Sequence, residues 1–185
     1  YSTKKVVSIT DGGGFAVLTA DLCAEQGLEL IDIDPQVQMY INDLLPSHAP
    51  KNINPIDTSG GMDDNPGLLA DCYEQALKDD RIDAVFATGI FGGYGAAFSP
   101  KMEEIEVNTA KRLVDLAYRY GKPLFMQTIY GDKALSIPSL TTLVNSGIPV
   151  FSSLDTAIRC LKYCNDYQTA KERLANISTP TISKN

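Results

Sequence analysis

The chain has 185 residues, with 16 Lys and Arg against 23 Asp and Glu, a net charge of -7 and a pI of about 4.6. That length suits one domain with a full core, and an acidic chain with no basic cluster excludes nucleic acid or an anionic membrane as the partner. No apolar run approaches the roughly 20 residues of a membrane helix, and the start, Tyr1-Ser2-Thr3-Lys4-Lys5, is followed by too short an apolar stretch for a signal peptide.

Val6 to Thr10 is a short β-branched run that predicts a first strand, stopping at Asp11-Gly12-Gly13-Gly14. A helix pattern follows, with Phe15, Leu18 and Leu22 on one face and Gly27 as its stop. Leu28 to Ile33 reads as the second strand, and Pro35 opens a short helix through Leu44-Leu45 that Pro46 ends. Residues 46–66, rich in Pro, Asn, Asp and Gly, form the longest irregular stretch, and such a loop in a compact domain is commonly functional. Asn65-Pro66 reads as a cap and first-turn proline before the stripe Leu69, Cys72, Tyr73 and Ala76. Ile82 to Thr88 is a buried strand that runs into the glycine-rich segment Gly89 to Gly95. Ser99-Pro100 opens a helix with Leu113, Leu116, Ala117 and Tyr120 inward and Gly121 as its stop. Pro123 to Thr128 is a strand, and a helix then runs from Asp132 or Ile137 to Asn145. Val150-Phe151 is a short strand, and Ser153 caps a last helix with Leu154, Ala157, Ile158 and Leu161 inward.

Strand runs that are apolar on both faces and alternate with helices imply a parallel sheet covered on both sides. With right-handed crossovers the fold class is α/β, a doubly wound parallel sheet of flavodoxin-like type in three α/β/α layers. Its loops line a crevice at the carboxyl ends of the strands. Residues 1–176 are expected to form this one domain and 177–185 a linker or tail. A strand starting this close to the first residue, with no initiator Met, is expected of a domain taken from a longer polypeptide.

Four cysteines, Cys23, Cys72, Cys160 and Cys164, fall on predicted helices without a C-x-x-C pair and read as small core residues in a reducing cytoplasm. Cys160 and Cys164, one turn apart, form at best a regulatory pair. With His48 as the single histidine, no metal site is predicted.

Three segments carry the candidate chemistry. In Thr10-Asp11-Gly12-Gly13-Gly14 the glycines let backbone N–H groups converge at a helix N-terminus, where the dipole favours an anion. A tight turn for helix–strand packing explains the same spacing, and both readings stay open. The segment has neither the Gly-Lys-Ser/Thr ending of a Walker loop nor a G-x-G-x-x-G fingerprint. In Gly89 to Gly95, Gly92 and Gly93 suit a phosphate and Phe91 or Tyr94 a stacked ring or an interface, while a mobile loop needing positive φ is the alternative. In the long loop, Asn54 with Pro55 restricts the backbone, and Asp57 and Thr58 hold it through side-chain-to-backbone bonds. A catalytic role for Asp57 is the less favoured reading. His48, between prolines, reads as structural or exposed, and no serine sits in a nucleophile elbow. No residue is assigned a catalytic role.

Several strings in order, Ile9 to Gly14 with Val17, Leu18, Ala20 and Asp21, then Gly27 to Leu30, Leu45 to Ala49, Asn54 to Asp57, Asp80 to Val85 and Gly147 to Phe151, resemble the nucleoside-diphosphate-forming acyl-CoA synthetases, relatives of succinyl-CoA ligase. The resemblance covers nearly the whole chain. It implies the flavodoxin-like, succinyl-CoA ligase-type domain of an enzyme that interconverts acyl-CoA, ADP and phosphate with a carboxylate, CoA and ATP. It also implies a phosphohistidine on a neighbouring CoA-binding domain and an ATP-grasp domain as partners. CoA, ATP or ADP and Mg are then expected of the full enzyme, none held tightly by this chain, which is expected to be inactive alone. Thr10, Gly12, Gly13, Gly14, Gly92 and Gly93 carry over as supports for the phosphate or phosphohistidine, and Asn54 and Asp57 remain loop-structuring residues. The family's phosphohistidine string Ser-His-Thr-Gly-Ala is absent, and Asp11 stands where the family usually has Asn. An aspartate there repels an anion unless it turns away to cap the helix. A partner surface is expected, and self-pairing into a homo-oligomer is compatible with it. The alternative is a flavodoxin-like module that binds a nucleotide or FMN without catalysis of its own.

Overall fold

The protein is described from a computed structural model covering residues 4–51 and 53–175. Strands β1 (Lys5–Thr10), β2 (Glu29–Leu30), β3 (Ile56–Asp57), β4 (Ala84–Gly89), β5 (Leu124–Thr128) and β6 (Val150–Phe151) form one parallel sheet. The order is β2-β1-β4-β5-β6, with β3 also paired to β1. The helices are α1 (Gly13–Glu25), α2 (Pro35–Leu44), α3 (Gly61–Asp64), α4 (Leu68–Leu77), α5 (Tyr94–Ala97), α6 (Pro100–Tyr120), α7 (Pro138–Asn145) and α8 (Leu154–Ala175). The expected doubly wound architecture is therefore present. The expected tail at 177–185 lies outside the described residues.

Side chains of alternate sign along each strand explain the three layers. Val7, Ile9, Val85, Ala87, Leu124 and Met126 face a core shared with α2, α4, α6 and α7. Val6, Ala84, Phe86 and Phe125 face a smaller core with α1 and α8. Helix α4 buries Leu68, Leu69, Cys72, Tyr73, Ala76 and Leu77, while Asp71 and Glu74 on its other face pair with Arg112 of α6. Each large apolar side chain so buried contributes about 1.5–3 kcal/mol by leaving water. Helix α6 starts on Pro100 and ends on Gly121, whose φ of 64 only glycine adopts freely.

Two elements differ from expectation. The strand predicted over 28–33 pairs only at Glu29 and Leu30. Beyond it the Asn54 side chain replaces the ladder: Oδ1 accepts from the Ser8 N–H at 3.0 Å, and Nδ2 donates to the carbonyls of Val6 at 2.9 Å and Ile31 at 3.0 Å. That amide bridges β2 and β3, which share one edge of β1. The irregular segment predicted over 46–66 thus contains β3 and the single turn α3.

Helix α1 also turns differently from its predicted stripe. Thr19 and Cys23 face the sheet, while Val17 and Leu18 are exposed. Small side chains bring α1 close to the strands, and the Thr19 hydroxyl is returned to the Phe15 carbonyl at 2.7 Å. Burial pushes the Cys23 and Cys72 thiols up to about 12, as inert core groups. Cys160 is only half-buried and Cys164 is exposed, so the core reading fails for the second pair.

Candidate functional site

The strand order reverses between β1 and β4, so their carboxyl ends open the crevice where a doubly wound sheet receives ligands. Asp11, the first residue past β1, is tied to this seam by its N–H, which donates to the Thr88 carbonyl at 3.0 Å.

The loop after β1 leads into α1 without a side-chain cap and without an acidic residue in the first turn. Gly13 and Gly14 are exposed. A Cβ on Gly12 or Gly14 would meet nothing within 4 Å, and one on Gly13 would meet only Asp57 Oδ2 at 3.5 Å. The first-turn N–H groups of a helix have no acceptor within it and carry the positive end of its dipole. This terminus, 13 residues of helix behind it, is open to an anion. Thr10 does not share in that opening. It is fully buried, its hydroxyl donates to the Ile56 carbonyl at 3.3 Å, and its carbonyl accepts from the Thr58 N–H and hydroxyl at 2.9 and 3.1 Å. Its role is to fasten the long loop to β1 beneath the site. Asp57, also buried, accepts from the Ser59 N–H at 2.8 Å and so shapes the turn into α3.

The loop after β4 is glycine-rich for another reason. Gly89, at φ 145, lies so close to the first loop that a Cβ would stand 2.4 Å from Asp11 Cβ. A Cβ on Gly92 (φ 95) would stand 2.8 Å from Leu140 Cγ, and one on Gly93 2.1 Å from the Tyr130 ring. The amides of this loop converge, as predicted for an anion, but the anion is internal. Glu106 of α6, 1% exposed, accepts through Oε1 from the N–H of Gly92 at 2.5 Å and Tyr94 at 3.3 Å, and through Oε2 from Gly95 at 3.3 Å. The Gly93 N–H donates to the Ile90 carbonyl at 2.9 Å. Gly92 and Gly93 are thus corrected from phosphate supports to close-packing residues of a loop wrapped round a carboxylate. Burial raises the Glu106 pKa, with the three amides opposing the shift.

Phe91 and Tyr94, candidates for stacking on a ring, are instead buried, at 3% and 0% exposure. The Tyr94 hydroxyl reaches across the seam and donates to Asp11 Oδ2 at 2.6 Å. Asp11 therefore turns away from the helix without capping it. Burial lifts its carboxyl to about 6; the Tyr94 hydrogen bond opposes that shift, and the charges of Asp63 and Asp57 add to it. Burial, then the neighbouring Asp11, also raises the Tyr94 phenol. His48 is exposed, with Nε2 3.1 Å from the Ser59 carbonyl oxygen.

Sequence reasoning missed Glu106 and the Asp11–Tyr94 pair. Glu106 carried a signal: it continues the inward spacing of Ala110, Leu113 and Leu116, so an acid stood on a core stripe. Asp11 and Tyr94 are 83 residues apart, and nothing local announces their meeting.

A strand order of this kind, covered by helices on both faces, defines a flavodoxin-like α/β domain. The family described as "Ligase-CoA domain" matches residues 6–170. The chain belongs to that family. It is 28% identical over 169 residues to the acetate–CoA ligase (ADP-forming) I subunit alpha of Pyrococcus furiosus, an alignment covering 84% of this chain and 31% of that one. Two structures of the dinucleotide-forming acetyl-coenzyme A synthetase 1 of Ca. Korarchaeum cryptofilum, one apo and one with phosphate and ADP, share the fold at a TM-score of 0.71. Their identities are 19% and 20%, over 95% of this chain and 36% of theirs. The chain thus spans about a third of the length of the relatives it matches. No helix among the described residues is long and apolar enough to cross a membrane.

Proposed function

We propose that this chain is the Ligase-CoA domain of a nucleoside-diphosphate-forming acyl-CoA synthetase, which converts acyl-CoA, ADP and phosphate into a carboxylate, CoA and ATP. The observation that carries the reading is the open first turn of α1 at the strand reversal, uncapped and built from glycine. In this reading a histidine on a CoA-binding domain carries the phosphoryl group. The first-turn amides of Gly13, Gly14 and Phe15 hold its oxygens while that histidine rests in the crevice. Gly12 leaves the approach clear, and Thr10, Asn54 and Asp57 fix the loop beneath. Nucleotide and Mg are assigned to an ATP-grasp domain. Among the described residues no three His, Cys, Asp or Glu side chains gather to hold a metal. The exposed Val17 and Leu18 beside this turn offer apolar surface for a covering domain.

The test is titration of the chain with phosphate, CoA and ADP by calorimetry and NMR, with Gly13→Val alongside. Weak phosphate binding that Gly13→Val abolishes, with no ligation or hydrolysis by the chain alone, is the expected result. Turnover by the isolated chain, or tight FMN or nucleotide binding, would replace this reading with a self-sufficient module.

A further inference from the structure

Two thiols on the last helix stand together with no part in the reading above. Cys160 and Cys164 lie four residues apart on α8, one turn along the same face. Cys160 is half-buried against the smaller core, Cys164 is exposed, and neither is in a disulfide. Their side chains are in hydrogen-bond contact with each other. Burial, then Cys164, raises the Cys160 thiol, so it is not an activated nucleophile. The pair differs from Cys23 and Cys72, which the core seals from solvent.

The spacing decides what the pair can take. Cβ atoms four residues apart on a helix stand about 5–6 Å from one another, whereas a disulfide needs about 3.8 Å. Closing a disulfide here would pull the turn apart, so the helix opposes that form of the regulatory pair. A soft ion bonds thiolate sulfur at about 2.3 Å and so bridges two sulfurs up to about 4.6 Å apart. Thiols already in contact reach that span by side-chain rotation, with the helix intact. No third donor joins them: among the described residues no three His, Cys, Asp or Glu side chains gather. The groove beside the pair is lined by Asp155, Thr156, Arg159, Tyr163 and Tyr167. Its one carboxylate faces Arg159, with Oδ2 3.6 Å from Nη1. Zinc, which takes four ligands, would be left half-coordinated. An ion satisfied by two thiolates would not, and thiolate softness selects monovalent copper.

We propose that Cys160 and Cys164 form a two-thiolate site for Cu(I). None of the residues lining its groove belongs to the loops after β1 and β4, so the site stands or falls apart from the phosphoryl reading. As each Cu–S bond forms, the S–H bond of that thiol breaks and its proton passes to solvent. Copper stays monovalent, so the step needs neither oxidant nor reductant. The exposed Cys164 meets the incoming ion first, and Cys160, sheltered on its core side, completes the pair. The bis-thiolate complex carries one negative charge, and Arg159 supplies a positive charge in the same groove.

The reduced chain, kept free of oxygen, is titrated against Cu(I) held by bathocuproine disulfonate, whose colour fades as copper leaves it. One Cu(I) per chain is expected to transfer, with the helical circular dichroism unchanged. Cys160→Ser and Cys164→Ser should each lose that uptake, and Cys164 is exposed, so its replacement leaves the core untouched. The double variant keeps Cys23 and Cys72 and should take up none. Copper K-edge absorption of the loaded chain should show two sulfur neighbours. Uptake that survives Cys164→Ser, or one copper shared between two chains, overturns the site. Three or more sulfur neighbours, or Zn(II) displacing Cu(I) at equal concentration, overturns the two-coordinate assignment.

Discussion

The loops after β1 and β4 are both glycine runs at the ends of adjacent strands, yet a side chain added to each would meet different surroundings. At Gly12 and Gly14 it meets nothing within 4 Å, whereas at Gly92 it meets Leu140 at 2.8 Å and at Gly93 Tyr130 at 2.1 Å. The amides follow the same division: those of the first turn of α1 are uncapped, while Gly92, Tyr94 and Gly95 donate to Glu106. A glycine run therefore reports that Cβ is absent, and only the surroundings tell whether a ligand or a neighbouring side chain takes its place. One loop leaves its amides open, as the proposed anion site requires, and the other closes its amides on a carboxylate of its own chain.

The comparison breaks most visibly at Glu106. Replacing it with Ala leaves three loop N–H groups facing a small void in a site that is 1% exposed. Each orphaned donor costs about 1–3 kcal/mol, and partial relaxation brings the expected total to about 4 kcal/mol. Urea denaturation measures it, and Glu106→Gln, which keeps an acceptor, should lose less. A loss under 1 kcal/mol in Glu106→Ala would mean that the loop does not depend on its internal carboxylate. Gly93→Val comes next. Its branched side chain must displace the packed Tyr130 ring, and overpacking of that kind costs about 1–3 kcal/mol. The same substitution at Gly13 serves as the reference.

Where the two loops touch, the effect is smaller and depends on pH. Asp11 has a folded pKa of about 6 against an ordinary 3.8. A raised carboxyl contributes stability in full below the unfolded value, and that contribution is lost as pH rises through the folded one. Asp11→Asn should therefore match the parent chain near pH 3.5 and exceed it at pH 7.5. The gain, discounted for the partial exposure of the group, is about 1–2 kcal/mol. Parallel urea titrations at the two pH values check it; a gain that is equal at both would place the effect in packing rather than charge.

Most of the frame was legible in the residues. β-branched runs, Pro35 and Pro100 at helix starts, and Gly121 and Gly147 at helix ends mark the alternation that forces a covered parallel sheet. What escaped were features made by single side chains acting over long separations. Asn54 imitates a strand for Ser8, 46 residues away, so β2 ended earlier than its apolar run. Tyr94 closes on Asp11, and Glu106 fills a nest formed on the preceding segment. Each is a polar contact fixed by tertiary packing, which periodicity does not encode. The first glycine loop stood between two readings for the same reason, since a tight turn and an anion site have one spacing. The α1 stripe failed on a subtler point: Thr19 and Cys23 were passed over in favour of the larger Leu18, although close helix–sheet approach selects the smaller side chains.

The smallest expected effect on stability carries the most weight for function. Gly13 is exposed at the first turn of α1 and has only Asp57 Oδ2 near its missing Cβ, at 3.5 Å. Its backbone is that of an ordinary helix start, and valine is a slightly better helix former than glycine and stiffer in the unfolded chain, so any change is a gain of a few tenths of a kcal/mol. Gly13→Val should thus change stability by less than about 0.5 kcal/mol. The same branched side chain would stand over the open amides, in the space an oxyanion needs, and phosphate binding should vanish. Gly93→Val is predicted to do the reverse, destabilising the fold while sparing whatever binding the folded fraction retains. If both substitutions destabilise alike and neither alters binding, the two loops are equivalent packing turns and the opening at α1 has no ligand.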